Sequence, residues 1–167
     1  MAILLGGISF LIVLLLFQMA VVSRLPIVYG NADLFILFLS SWALQEKSTK
    51  NYEFALISVV LVSAVSALPF YIYLITYFGI IVLAGVLKKR VWQTPLLALA
   101  FTILAATIME HGLTILWLRL GGNAISLSQT IGLVSVPSIL INLLLSIPVY
   151  TVIRNIIGSL FPAESDI

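Results

Sequence analysis

The sequence holds 167 residues, 62% of them hydrophobic and only 8% charged, with a mean hydropathy of +1.25. A soluble domain carries roughly 25% charged residues, so a water-facing surface that hides this much apolar side chain is excluded, and the length allows one integral membrane domain over residues 1–167. The net charge of +2 rests on eight Lys and Arg against six Asp and Glu, which excludes a nucleic-acid-binding face, and the absence of Cys excludes disulfides and thiolate sites.

Taken in chain order, Ala2 to Val22 is apolar almost throughout, and the first basic residue, Arg24, comes after it. A cleaved signal needs a basic segment ahead of an apolar stretch of roughly 7 to 15 residues. An uncleaved first span over residues 2–22 is predicted instead, since crossing takes roughly 20 apolar residues. Arg24, Pro26, Gly30 and Asn31 then break the helix. The second span is expected over 32–45, with Leu25 to Tyr29 adding depth as irregular chain. Asn31 is placed as its N-cap, and Asp33 as an acceptor for free N–H groups of the first turn.

After the charged loop Glu46 to Glu53 comes Phe54 to Leu87, 34 residues without a charge. A single helix of that length would measure about 50 Å. Even at a tilt of about 40° a crossing needs only about 26 residues. Two spans, 54–68 and 70–87, with a turn near Pro69, fit better. A fifth span covers 94–118. Residues 121–136, rich in Gly and Ser, read as a loop at the interface, a sixth span covers 137–160, and 163–167 is a short acidic tail. The fold class is therefore all-α, a bundle of six transmembrane helices.

Charge orients the bundle. With both termini in the cytoplasm, that side receives Lys47, Lys50, Lys88, Lys89, Arg90 and Arg154, against Arg24 and Arg119 outside. Six against two is the direction of the positive-inside rule, and Trp42, Trp92 and Trp117 fall near the predicted interfaces.

Few residues could carry chemistry. Thr107, Glu110, His111 and Thr114 share one face of the fifth span, and ionisable groups at such depth face the bundle interior or water. A proton relay, a ligand site and a partner contact compete with the plainer reading of a hydrogen-bonded pair joining helices, and no second acid is expected opposite Glu110. Asn142 and Ser146 lie one turn apart on the sixth span, where Pro148 frees the Leu144 carbonyl. A buried Asn there reads first as glue between helices. Ser58, Ser63, Ala64, Ser66 and Ala67 on the third span, with Gly79, Ala84 and Gly85 on the fourth, make small-residue faces that allow close helix approach. One His and no Cys exclude the usual zinc and iron–sulfur sites, no Gly-rich phosphate loop occurs, and no third group orients His111 as a base. No catalytic, cofactor or metal site is expected, and the chain does not read as an enzyme.

The run Pro137-Ser-Ile-Leu-Ile-Asn142-Leu-Leu-Leu-Ser-Ile-Pro148-Val-Tyr150, followed by Arg154 and Phe161-Pro162, resembles the C-terminal signature of the MreD family of rod-shape-determining membrane proteins. Asp33-Leu34 at the start of the second span and Leu68-Pro69 after the third agree with it. The sequence departs in Ala32, where the family often has Pro, and in the lack of an acid between Val59 and Ser63. The resemblance implies a non-enzymatic scaffold of the bacterial cell-elongation machinery, in the cytoplasmic (inner) membrane. Its partners would be the single-pass protein MreC, the glycosyltransferase RodA with its partner transpeptidase, and MreB filaments on the inner side. Asp33, Ser63, Gly79, Glu110, His111 and Asn142 are the candidate polar or partner contacts, and leucine at Ser63 or Gly79 is expected to weaken partner binding. The family's fold resembles the substrate-binding S components of energy-coupling-factor vitamin transporters. That likeness supplies an alternative, a vitamin-binding subunit with Glu110, His111 and Asn142 around an outward-facing pocket.

Overall fold

The computed structural model describes residues 2–24, 29–90 and 94–160. Trp92, the Phe161-Pro162 pair, the acidic tail and most of the stretch from Leu25 to Tyr29 lie outside them. The described chain is helical and contains no strand. Its elements are α1 (Ala2–Ala20), α2 (Leu34–Ala43), α3 (Asn51–Val65), α4 (Phe70–Arg90), α5 (Pro95–Leu120), a short α6 (Leu127–Thr130) and α7 (Val136–Leu160). Among the described residues, three helices are long and apolar enough to cross a membrane: α4, α5 and the continuous Leu127–Ser159 rod.

That rod corrects the loop expected at 121–136. After α5 the chain turns at Gly121 and Gly122, the latter at φ 83, a conformation that favours glycine. Helix then resumes at Leu127, and a π-helical turn over Ile131–Ser135 joins α6 to α7. A Ser or a single Gly costs a helix no more than about 1 kcal/mol, too little to break one carried on both sides by apolar residues. Helix α7 continues through Pro148.

The helix α2 organises the rest. All ten of its residues are buried, and it touches α1, α3, α4, α5 and α7. At 1.5 Å per residue it is about 15 Å long, half the thickness of a bilayer core. Its first free N–H groups therefore emerge in the middle of the bundle and must be satisfied there. The cap is Asp33, not Asn31: Asp33 Oδ1 accepts from the N–H groups of Phe35 and Ile36 at 2.8 and 3.0 Å. The chain before it lies directly on α7, and a Cβ at Gly30 would come within 2.6 Å of the Ser138 nitrogen. Only glycine permits that approach, which lets the Asn31 N–H donate to Ser138 Oγ at 3.1 Å.

Neighbouring helices alternate in direction. Lys88, in the last turn of α4, donates to the carbonyls of Gln45 and Glu46 and to Ser48 Oγ, so the basic end of α4 and the loop carrying Lys47 and Lys50 share one end of the bundle. There Phe38, Trp42 and Phe54 pack edge to face or tilted, with ring centroids 5.0 to 6.1 Å apart, and Phe10 adds a fourth ring. The opposite end gathers the C-terminal ends of α1, α3 and α5 and the N-terminal ends of α2, α4 and α7.

On α5 and α7 the accessible faces are apolar, and the polar side chains turn inward beside buried apolar residues such as Leu99 and Ile103. On α5 the exposed side presents Leu97, Phe101, Ile108, Leu116 and Leu120, whereas Thr102 and Thr107 are buried. On α7, Leu140, Leu144 and Ile147 face outward while Ser138, Asn142 and Ser146 face inward.

Candidate functional site

Where α2 begins, the bundle leaves a cavity of about 440 Å³, open at the end away from Lys88. Every helix from α1 to α5 contributes to its wall, as does the rod formed by the π turn and α7. The geometry follows from the shortness of α2: the column above its N-terminus holds no helix, and polar side chains from its neighbours converge on the vacant backbone donors. Non-helical backbone at such depth is tolerated where it lines a cavity.

Two side chains complete what Asp33 begins. Asn142 Oδ1 accepts from the Asp33 N–H at 2.8 Å, and its Nδ2 donates to Thr107 Oγ1 at 3.1 Å, which in turn donates to the Ile103 carbonyl. Gln18 Oε1 accepts from the Leu34 N–H at 3.0 Å, and its Nε2 donates to the Ala32 carbonyl at 2.9 Å. The N–H groups of residues 33 to 36 are thereby all satisfied by side chains. Asn142 is 1% exposed, and it bridges three helices, the interhelical glue that its place in a long apolar run suggests.

The acids meet here as well. Asp33 and Glu110 line the same cavity, which corrects the expectation that no acid stands opposite Glu110. The sequence places Asp33 at a helix boundary; the shortness of α2 brings that boundary down to the depth of Glu110. Glu110 Oε2 and the Tyr77 hydroxyl are buried without a hydrogen-bond partner. Both residues line the cavity.

His111 also lines it, and its Nδ1 lies 2.9 Å from Ser135 Oγ in the π turn. Such turns recur at functional positions in helices; here the turn brings Ser135 to α5. A serine–histidine contact alone does not make a nucleophile, since a triad also needs a group that orients the imidazole and donors for an oxyanion. Among the described residues, no three His, Asp or Glu side chains are grouped as a metal ion would require.

The structure thus brings together Asp33, Glu110, His111 and Asn142, and leaves Ser63 and Gly79 apart from them. Ser63 Oγ turns back to the Val60 carbonyl at 3.2 Å on an accessible part of α3. Gly79 faces α5, and a Cβ there would come within 2.6 Å of Met109 Cε. A side chain at Gly79 would therefore have to displace the end of the Met109 side chain on α5.

Several lining residues escape a reading of the sequence. Gln18, the one amide in the apolar run from Ala2 to Ala20, is a signal that was there to be used. Tyr77 and Tyr73 carry none, because a tyrosine in an aromatic-rich span looks like any other core or interface residue. Tyr73 Oη and Ser66 Oγ lie 2.6 Å apart at the rim.

Comparison with protein-family models, with curated proteins and with solved structures finds no match to this chain.

Proposed function

We propose that this chain is a six-span inner-membrane protein, with both termini in the cytoplasm, that acts without catalysis as a scaffold of the MreD kind. The observation that carries the membrane reading is the inverted polarity of α5 and α7, with leucine, isoleucine and phenylalanine outside and serine, threonine and asparagine inside. In water, apolar stripes of that extent would drive association; in lipid they are solvated, and the polar interior holds the helices together. The two segments that carry the family resemblance support the assignment jointly, because Asp33-Leu34 and the Asn142 segment are joined by the Asp33 N–H to Asn142 bond.

In this reading the outer surfaces of the bundle receive the membrane helix of MreC. Helix α3 offers Ser63 and Ala64 on its accessible side, with Ala67 exposed in the turn after it, and small side chains allow close backbone approach. Detergent extraction of tagged protein is expected to recover MreC, and Ser63→Leu to lower that recovery while the bundle stays folded. Normal recovery with Ser63→Leu moves the contact to another face; no recovery of MreC with the unaltered chain overturns the scaffold reading. A reporter fused at the C-terminus is expected to be active on the cytoplasmic side alone.

One observation favours the vitamin-binding alternative: Glu110, His111 and Asn142, the residues it requires around a pocket, line one cavity together. A thermal-shift screen in which no vitamin stabilises the protein removes it.

A further inference from the structure

The cavity above α2 is more polar than closing the helix end requires. Once Asp33, Asn142 and Gln18 have satisfied the backbone donors of residues 33 to 36, no free N–H of that turn remains for an anion, although a bare helix N-terminus would attract one. The groups left over can accept, the tyrosine hydroxyl donating as well. Glu110 Oε2 is buried with no partner, and so is the hydroxyl oxygen of Tyr77, a residue with no exposed surface. No Lys or Arg lines the cavity. Negative charge on the Asp33 and Glu110 carboxyls, which share this cavity, is costly in a low-dielectric interior until a positive charge is set beside it. Beside the polar Ser66, His111 and Ser138, the remaining wall offers Leu15, Met19, Val62, Val65 and the ring of Tyr73, and aromatic faces attract cations. The volume falls in the range of small-molecule sites.

We propose that this cavity binds an organic monocation, a protonated amine with an apolar body, whose N–H groups donate to Glu110 Oε2 and Tyr77 Oη. The inference rests on the cavity alone and holds whether the chain is a scaffold or a vitamin-binding subunit. A second ammonium would lie unpaired against the apolar side chains of Leu15, Met19, Val62 and Val65, so diamines fit poorly. A bare metal ion fits less well, because Asp33, Glu110 and His111 do not converge as ligands.

The test uses the full-length protein in detergent, titrated with benzylamine and phenethylamine. The controls are the isosteric benzyl and phenethyl alcohols, benzoate, cadaverine and sodium chloride, with thermal unfolding and calorimetry as readouts. Saturable stabilisation by the monoamines is expected, and at least tenfold weaker or absent effects from every control. The alcohols enter micelles at least as readily as the amines, so they remove partitioning from the comparison. Glu110→Gln, which keeps the side-chain volume, is expected to weaken amine binding at least tenfold, and Tyr77→Phe about threefold. Should Glu110→Gln fail to fold, the amine–alcohol difference in the unaltered protein with Tyr77→Phe decides the matter. The proposal is overturned if neither monoamine gives saturable binding, if the alcohols, benzoate, cadaverine or sodium match the amines, or if a folded Glu110→Gln binds amine undiminished. Recovery of MreC is measured separately, so each reading can fail without the other.

Discussion

The two ends of α2 solve opposite problems. At its C-terminal end the surroundings are packed: Trp42 meets Phe54 edge to face with centroids 5.0 Å apart, its Nε1 donates to the Thr49 carbonyl at 3.0 Å, and Lys88 closes the turn on the Gln45 carbonyl. A cation at a helix C-terminus also opposes the helix dipole. At the N-terminal end the rings of Phe35, Tyr77 and Tyr73 border a cavity, and a handful of hydrogen bonds from Asp33, Asn142 and Gln18 holds the helix end. One end is stabilised by many weak contacts and tolerates no vacancy. The other depends on few groups, each with a specific partner, and has acceptors to spare. Packing makes a rigid base, while the open end has the unsatisfied valences that a ligand needs.

Four substitutions would break or sharpen this contrast. The largest effect is expected from Phe54→Ala, which empties the centre of the aromatic cluster: about 3 kcal/mol, since the cavity left behind adds to the lost contacts. Reversible unfolding in mixed micelles would measure it, and a loss under about 1 kcal/mol would show the packed end to be soft. Next is Asn142→Leu, which leaves the buried Asp33 N–H without an acceptor and should cost about 2 kcal/mol. Faster amide exchange at residues 33 and 34 should accompany it, and unaltered exchange would remove Asn142 from the role assigned to it. Lys88→Met is expected to cost about 1 kcal/mol, because the ammonium is partly exposed and its carbonyl partners can turn to water. Protease cleavage confined to the 46–50 loop would report that loss. Tyr77→Phe should lie within about 0.5 kcal/mol of the unaltered protein by melting temperature, since its hydroxyl has no partner to lose. A larger destabilisation would mean that the hydroxyl is already used, and would weaken the case for a waiting acceptor.

Much of the helical layout is legible along the chain. The charge-free run from Phe54 to Leu87 is too long for one helix, and the turn falls between Val65 and Phe70 beside Pro69. The basic cluster 88–90 closes α4 as the pattern suggests. The helical run from Leu127 into α7 is not legible, because weak helix formers at 121–136 lower local propensity without forbidding a helix that tertiary contacts support. The cap of α2 is misplaced by two residues for a related reason: Asn31 and Asp33 are both good caps, and the choice between them falls to Gly30, whose approach to α7 holds Asn31 against Ser138.

The site divides the same way. Glu110, His111 and Asn142 stand out because polar groups are rare in apolar spans and expensive there, and that rarity is a property of the sequence. That Asp33 faces Glu110, that Gln18 and Asn142 serve successive N–H groups, and that Tyr77 ends in an empty corner follow from nothing local. They follow from one tertiary fact, a ten-residue helix standing in a bundle of longer ones. Composition and periodicity determine which residues prefer lipid and which turn inward, because those preferences belong to single side chains and their spacing. Which inward groups meet depends on helix lengths, axial offsets and close approaches between segments some hundred residues apart, and these are decided when the helices pack.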